Sequence, residues 1–298
     1  MSTSRASQIT PHHAVRISLP GRYGELAALH AVPDQGIALA DTGVTALLVP
    51  GYTGSKEDFA PLLDPIAGAG IEAVAVDLPG QHESPGPDDE SAYRPKQLGE
   101  VVAELVEHLA KDGRRVLLLG HSYGGLVVRA AVLAGAPVSG LVLLGSGPAE
   151  LPDGDRRRAL DLGEPVLREQ GIEEAQRIRE AMDSARPGWD QLPQELKDFL
   201  RRRFLMSSPA GLLGMADGLR YEPDLVPQLA DALRERGAPC LVVCGESDDA
   251  WPVPVQRHMA ERLDADFAVI PGAAHSPNTE NPEALLGILL PTWRSWLS

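Results

Sequence analysis

Four apolar residues, Val116-Leu117-Leu118-Leu119, run straight into Gly120-His121-Ser122-Tyr123-Gly124-Gly125 and then into Leu126-Val127-Val128-Arg129-Ala130-Ala131-Val132. The first stretch shows no alternation, the pattern of a central parallel strand covered on both faces, and the last reads as a buried helix. A Gly-x-Ser-x-Gly sequence at such a joint forces a sharp turn in which the serine backbone is strained and its hydroxyl projects above the sheet. Gly120 and Gly124 are needed because side chains there would collide with the neighbouring strand and helix. The helix also directs free amides and a positive dipole end at any oxyanion forming beside Ser122. Such five-residue patterns occur by chance as well, but the strand before and the helix after are the context in which they carry nucleophilic chemistry. The nearby Gly145-Ser146-Gly147 lacks the third glycine of a dinucleotide-binding turn and meets Pro148, so it reads as a strand exit.

The chain has 298 residues, 43% hydrophobic and 23% charged, which suffices for one sizeable α/β core with an insertion. A formal net charge of −15 argues against nucleic acid and anionic membrane surfaces as partners. Met1 to His13 is polar, without the apolar core of a signal peptide, and no stretch reaches the length of a membrane span. A cytoplasmic location is the expectation. Cys240 and Cys244 share one strand-like run, which would separate them by roughly 13 Å, too far to bridge. With no Cys-x-x-Cys spacing and no cysteine–histidine cluster, both are expected to be buried, and no metal site is expected.

Strand-like runs cover Ala14 to Leu19, Glu25 to Val32, Thr45 to Val49, Ala73 to Val76, Leu141 to Leu144, Leu241 to Val243 and Phe267 to Ile270. Helical patterns alternate with them: one follows the Ser55 and Asp58 capping signature, and another spans Gln97 to Lys111 with Leu98, Val101, Val102, Leu105 and Leu109 on one face. A long loop, Leu78 to Ala92, is rich in proline, glycine and acid. The alternation predicts a mainly parallel sheet with helices on both faces. From Gly147 to Tyr221 strands vanish, and helical patterns appear over Arg156 to Gln170, Ile172 to Ala185 and Gln194 to Leu205, followed by Leu212, Leu213, Met215 and Leu219. These helices either complete a second layer or form a lid. Their place between the serine and the later candidates favours a cap over residues 147–221, with the core formed by 1–146 and 222–298.

A serine hydroxyl becomes a nucleophile when a histidine, oriented by a carboxylate, accepts its proton. Of the eight histidines, His275 follows a strand in the loop Pro271 to Pro277 and can reach across the carboxyl edge of the sheet. His108 and His258 fall in helical patterns as surface residues, His121 is committed to packing beside Ser122, and His82 reads as a solvated loop residue or one lining the entrance. For the acid, Asp248 leads in the turn Gly245-Glu246-Ser247-Asp248-Asp249. Asp249 is its close rival, Glu246 is expected to pair locally, and Glu150 is a remote alternative. The order serine, acid, histidine is the one this turn type predicts. The main-chain N–H groups of Tyr52 and Tyr123 are candidate oxyanion donors, and Trp251, Leu212 and Met215 are candidate pocket residues.

Together, Pro50-Gly51-Tyr52-Thr53-Gly54, Asp77-Leu78-Pro79-Gly80, Gly120 to Gly125, Gly245 to Asp248 and Gly272-Ala273-Ala274-His275 resemble the α/β-hydrolase superfamily. One departure is Pro50, where relatives commonly carry histidine. The resemblance implies the α/β-hydrolase fold with an eight-stranded sheet, Ser122 as nucleophile, Asp248 and His275 as its partners, and no cofactor. The expected function is hydrolysis of a small-molecule ester with a modest apolar group. A thioesterase or acyltransferase using Arg156 to Arg158 and Arg201 to Arg203 on an anionic carrier, a carbon–carbon bond hydrolase, a cofactor-free haloperoxidase and a non-enzymatic small-molecule receptor are the alternatives. The arginine triplets otherwise read as solvated surface.

Overall fold

The inner strands of the sheet are apolar on both faces because helices cover both, whereas the two marginal strands are partly open to solvent. The computed structural model describes residues 6–33, 41–185 and 188–298, so the first five residues of the polar N-terminal stretch lie outside it. The strands are β1 (Val15–Leu19), β2 (Leu26–Ala31), β3 (Val44–Val49), β4 (Glu72–Val76), β5 (Arg115–His121), β6 (Val138–Leu144), β7 (Cys240–Gly245) and β8 (Asp266–Ile270). They form one eight-stranded sheet in the order β1-β2-β4-β3-β5-β6-β7-β8. β2 pairs antiparallel with β1 and with β4, and every other pairing is parallel.

The helices are α1 (Ala60–Gly68), α2 (Pro95–Leu109), α3 (Tyr123–Leu133), α4 (Asp155–Ser184), α5 (Gln194–Leu205), α6 (Pro209–Tyr221), α7 (Val226–Arg236), α8 (Val253–Leu263), α9 (Pro277–Glu280) and α10 (Pro282–Leu297). Successive residues of β5 divide between two cores. Val116 and Leu118 pack with α2, α3, α7 and α8, and Leu117 and Leu119 pack with α1 and α10. Each fully buried leucine or valine contributes about 1.5–3 kcal/mol, so an unalternating apolar strand is stable only between two such layers. Both cysteines are buried and unbridged, with their thiols pushed up to about 12 by burial.

Between β6 and β7 the chain makes a helical insertion, α4 to α7. α4 is two helices meeting at Gly171, whose φ of 85° interrupts the helix. Leu167, Phe204, Leu212 and Leu213 from α4, α5 and α6 form a small cluster of their own against Tyr52. α6 lies on a 3₁₀ turn at Glu90–Tyr93, so close that a side chain at Gly214 would collide with the Glu90 carbonyl. α7 then returns to the main core beside α3 and α8.

Two helices carry local irregularities. The helix after Ser55 opens with a 3₁₀ turn at Lys56–Phe59, held by the Ser55 amide donating to Asp58 Oδ2 at 3.1 Å. Pro291 does not end the last helix, because it sits on the solvent side, where the carbonyl it displaces stays hydrated. Leu285, Leu289 and Trp293 bury the opposite face.

At Gly120 an added methyl would collide with the carbonyl of Gly124 and with Val128. Gly120→Ala should therefore lower unfolding free energy by about 1–3 kcal/mol, read from urea midpoints. An unchanged midpoint would show that the turn tolerates a side chain there.

Candidate active site

Ser122 joins β5 to α3 with φ 55° and ψ −120°, a conformation that costs a non-glycine residue about 1–3 kcal/mol. The Ser122 N–H donates to the Leu144 carbonyl at 2.8 Å, and its own carbonyl accepts from the Gly125 N–H at 2.9 Å. Glycines make the room for this turn. A Cβ at Gly124 would lie 2.5 Å from the carbonyl oxygens of Val49 and Pro50, and one at Gly125 would strike Ser146. The strand exit Gly145-Ser146-Gly147 thus has a packing role, with Ser146 under Gly125 and Gly147 under the Trp251 ring.

Three loops at the carboxyl edge of the parallel strands bring Ser122, His275 and Asp248 into one hydrogen-bonded line. His275 Nε2 is 2.9 Å from Ser122 Oγ, and His275 Nδ1 is 2.9 Å from Asp248 Oδ1. All three residues are buried. Burial works to raise the Asp248 carboxyl. Its hydrogen bond and charge interaction with His275, joined by donors from Ala250 N–H and Gln256 Nε2, outweigh burial and hold it below the usual carboxylate range.

Several side chains brace these loops. Gln256 is fully buried on α8 and donates to Asp248 Oδ2 at 2.9 Å and to the Trp251 carbonyl at 2.6 Å. Glu280 Oε2 accepts from the amides of Ala274 and Ser276, which flank the histidine, at 2.6 and 3.2 Å. Glu246, expected to pair locally, instead reaches the histidine loop and accepts from the Gly272 amide at 3.0 Å. His121 is buried and lies 2.9 Å through Nε2 from the His275 carbonyl. Gln256 had a readable signal, because it interrupts the apolar stripe completed by Met259, Ala260 and Leu263. Glu280 had none, since its partners are backbone amides.

The remaining candidates fall around this line. Tyr123 opens α3, so its N–H has no carbonyl one turn earlier to pair with, while its hydroxyl donates to the Tyr93 carbonyl at 2.6 Å. The loop carrying Tyr52 touches the serine, because a Cβ at Gly51 would meet Ser122 Cβ at 2.9 Å. Trp251 is buried 6.5 Å from the His275 ring and donates to the Glu150 carbonyl at 3.2 Å. Met215 lies 3.9 Å from Gln81 Nε2, and Leu212 belongs to the cluster against Tyr52. The rival acids are engaged otherwise: Asp249 has a carboxylate oxygen within 4.8 Å of His275 and Asp248 but is exposed and paired with Arg156 at 2.6 Å, and Glu150 pairs with Arg157 at 3.4 Å.

Two further expectations are corrected. His82 is not solvated: it is buried, adopts φ 43°, and stacks edge-on against Phe199 of α5 with ring centres 5.7 Å apart. Packing of the insertion over the loop is what removes it from water. Nor are the arginine triplets wholly surface. Arg203 is buried with Nη1 2.6 Å from Asp58 Oδ1, because its face of α5 is turned to the core. His82 also belongs to a buried charged group with Glu57 and Asp77 whose ligand-type atoms lie within 4.8 Å of one another. Lys56 Nζ sits among these acids, 2.8 Å from Asp77 and 3.1 Å from Glu57, so the cation of this cluster is the chain's own. Among the described residues, no helix is long and apolar enough to cross a membrane.

A strand–serine–helix elbow meeting a histidine and an aspartate at the carboxyl edge of a mainly parallel sheet defines the architecture of an α/β hydrolase. The Alpha/beta hydrolase family profile matches residues 46–288, and the chain belongs to that family. It is 30% identical over 224 residues to the pimeloyl-[acyl-carrier protein] methyl ester esterase of Edwardsiella ictaluri, covering 72% of this chain and 80% of that one. It is also 30% identical over 182 residues to the 2-succinyl-6-hydroxy-2,4-cyclohexadiene-1-carboxylate synthase of Escherichia fergusonii, covering 58% of this chain and 66% of that one. Among solved structures, a thermophilic esterase from Thermogutta terrifontis superposes with a TM-score of 0.71 at 22% identity over 96% of this chain and all of that one.

His121 generates a pH test. Burial first, and the neighbouring His275 second, lower its pKa from the ordinary 6.5 to about 4. Between those values the unfolded chain binds a proton that the folded chain refuses, so this group's contribution is full above pH 6.5 and is lost as pH falls towards 4. The slope is at most about 1.4 kcal/mol per pH unit. Urea unfolding at pH 5 and pH 7 should show a smaller pH difference in His121→Asn than in the unaltered protein. Equal differences would mean that the imidazole titrates normally.

Proposed function

We propose that this chain hydrolyses a carboxylic ester of a small or medium apolar substrate through an acyl-enzyme on Ser122. What supports the reading above all is the unbroken hydrogen-bond line from Ser122 Oγ through His275 to Asp248. In this mechanism the Ser122 oxygen attacks the ester carbonyl while His275 Nε2 accepts its proton, and the carbonyl electron pair moves onto oxygen. The amides of Tyr52 and Tyr123 stabilise that oxyanion, being fixed before charge develops. Collapse breaks the bond to the alcohol, which leaves with the proton held by His275. Water, deprotonated by His275, then attacks the acyl carbon and releases the acid and Ser122. Asp248 stays ionised throughout and holds Nδ1–H of the imidazole.

Residues 147–221 serve as the lid of this site, and Leu212, Met215 and Trp251 give it an apolar lining. The similarity to a methyl ester esterase supports the ester as substrate class. The arginines fit an anionic carrier less well, since Arg156, Arg157, Arg158 and Arg203 are paired with acids of the chain itself. Similarity to a synthase favours one second reading, in which the same serine serves a reaction other than ester hydrolysis.

A panel of esters of graded acyl length, with matched coenzyme A thioesters, tests the proposal. Turnover should favour short or medium esters, and Ser122→Ala or His275→Ala should each reduce kcat by a factor of order 10⁴ or more, because the two act as one unit. A serine-directed fluorophosphonate should label Ser122 alone. Labelling elsewhere rejects the nucleophile, preference for thioesters rejects the substrate class, and a ligand-induced thermal shift without any turnover points to a receptor.

A further inference from the structure

The peptide unit between Gly51 and Tyr52 carries one of the proposed oxyanion donors, and something must fix the plane of that unit. Gln81 does so from the far side. It follows Asp77-Leu78-Pro79-Gly80, is 2% exposed, and donates through Nε2 to the Gly51 carbonyl at 2.8 Å. Its amide cannot be read the other way round, because Oε1 accepts from the Leu78 N–H at 3.0 Å and a flipped group would set two donors face to face. The backbone of Gln81 is itself held, its N–H donating to the Leu78 carbonyl at 3.0 Å and its carbonyl accepting from the Ser84 N–H at 2.8 Å. A second donor, the Gly54 N–H, reaches the same Gly51 carbonyl at 3.0 Å.

We propose that Gln81 is a positioning residue that aims and polarises the Tyr52 N–H for the developing oxyanion. The inference rests on the ester-hydrolysis reading above and deepens it. The described peptide bonds include no cis form, so the Gly51 C=O and the Tyr52 N–H point in opposite directions from one rigid plane. Holding the carbonyl with two donors therefore sets the direction of the N–H. Each hydrogen bond accepted by the carbonyl also draws electrons from the nitrogen and strengthens its N–H as a donor. The plane lies against the nucleophile, since Gly51 has no room for a side chain beside Ser122. Gly54 alone leaves the carbonyl tethered within its own turn, whereas Gln81 ties it to the neighbouring loop after β4. Met215 of α6, 3.9 Å from Gln81 Nε2, packs on the same amide, so the donor's alignment also registers the position of the cap.

Gln81→Met keeps the length of the side chain and removes both polar atoms. Three readings on this variant and the unaltered protein make the test: the rate of Ser122 labelling by a fluorophosphonate, kcat and KM on the preferred ester, and inhibition by a trifluoromethyl ketone, which forms a tetrahedral oxyanion on the serine. Loss of a full oxyanion donor costs about 10²–10³ in kcat, so misaiming one should cost about 10- to 100-fold. KM should change little, and the ketone should weaken by the same factor as kcat/KM. A purely structural role would raise KM and lower the melting temperature without that parallel. Labelling and kcat within about twofold of the unaltered protein would overturn the role of Gln81 while leaving the hydrolase reading intact. Failure of the unaltered protein to be labelled at Ser122 would reject both. Should Gln81→Met not fold, Gln81→Glu carries the same test: it keeps the acceptor for Leu78 and, ionised, offers Gly51 no donor.

Discussion

Ser122 can hold a left-handed backbone only because nothing competes for the space around it. The turn brings the start of α3 against the end of β3, with Gly124 under the Val49 and Pro50 carbonyls and Gly125 over Ser146. Replacing any of these contacts by a side chain would relax the turn and lower the hydroxyl into the sheet. The strain, of the order of 1–3 kcal/mol, is borne by the two apolar layers on either side of β5. An elbow of this kind therefore needs a sheet buried on both faces, which the helices on either side of this core supply.

The same demand explains the buried polar groups at the carboxyl edge. Loops have no ladder of hydrogen bonds to hold them, yet the proposed mechanism needs His275 and Asp248 fixed to within a fraction of an ångström. Glu280, Glu246 and His121 bind the backbone of the histidine loop, and Gln256 binds the aspartate. On the other side of the serine, Asp77 accepts from the Lys56 amide at 2.7 Å and from its ammonium, so the loop after β4 is pinned to the 3₁₀ turn that precedes α1. Burial favours a neutral Asp77, and the Lys56 charge opposes that. The loop that carries Gln81 is thus anchored by an ion pair that has no access to water.

The strands and the elbow were legible in the sequence because each is a local pattern: unbroken apolar runs, and glycines at fixed offsets from a serine. Asp248 and His275 were legible as positions in loops after strands, and the turn order supplied their pairing. His82 was not, because its burial depends on Phe199, more than a hundred residues away and on a helix whose placement no local pattern encodes. Arg203 escaped for the same reason, since three consecutive arginines differ only in which one the helix turns towards Asp58. Gln81 sits in a loop rich in turn-forming residues, and only the fold reveals that its amide reaches the Gly51 carbonyl.

This chain is similar both to a protein named as an esterase and to one named as a synthase, a breadth that an elbow and a pair of amides can accommodate. Fixed amides stabilise negative charge on an oxygen regardless of how that charge arises, whether by addition of the serine or by loss of a proton elsewhere in a substrate. In the proposed function the line Ser122–His275–Asp248 and its braces set a capacity, and the groups facing the substrate choose among its uses. Under the proposed function those groups include Leu212 and Met215 of the insertion, where Arg156, Arg157, Arg158, Arg203 and Arg220 are paired with carboxylates of the protein. An apolar acyl group gains the full benefit of such a lining, while a substrate with several carboxylates would bury charge against it. That asymmetry is the physical reason for placing a simple ester ahead of a polyanionic substrate.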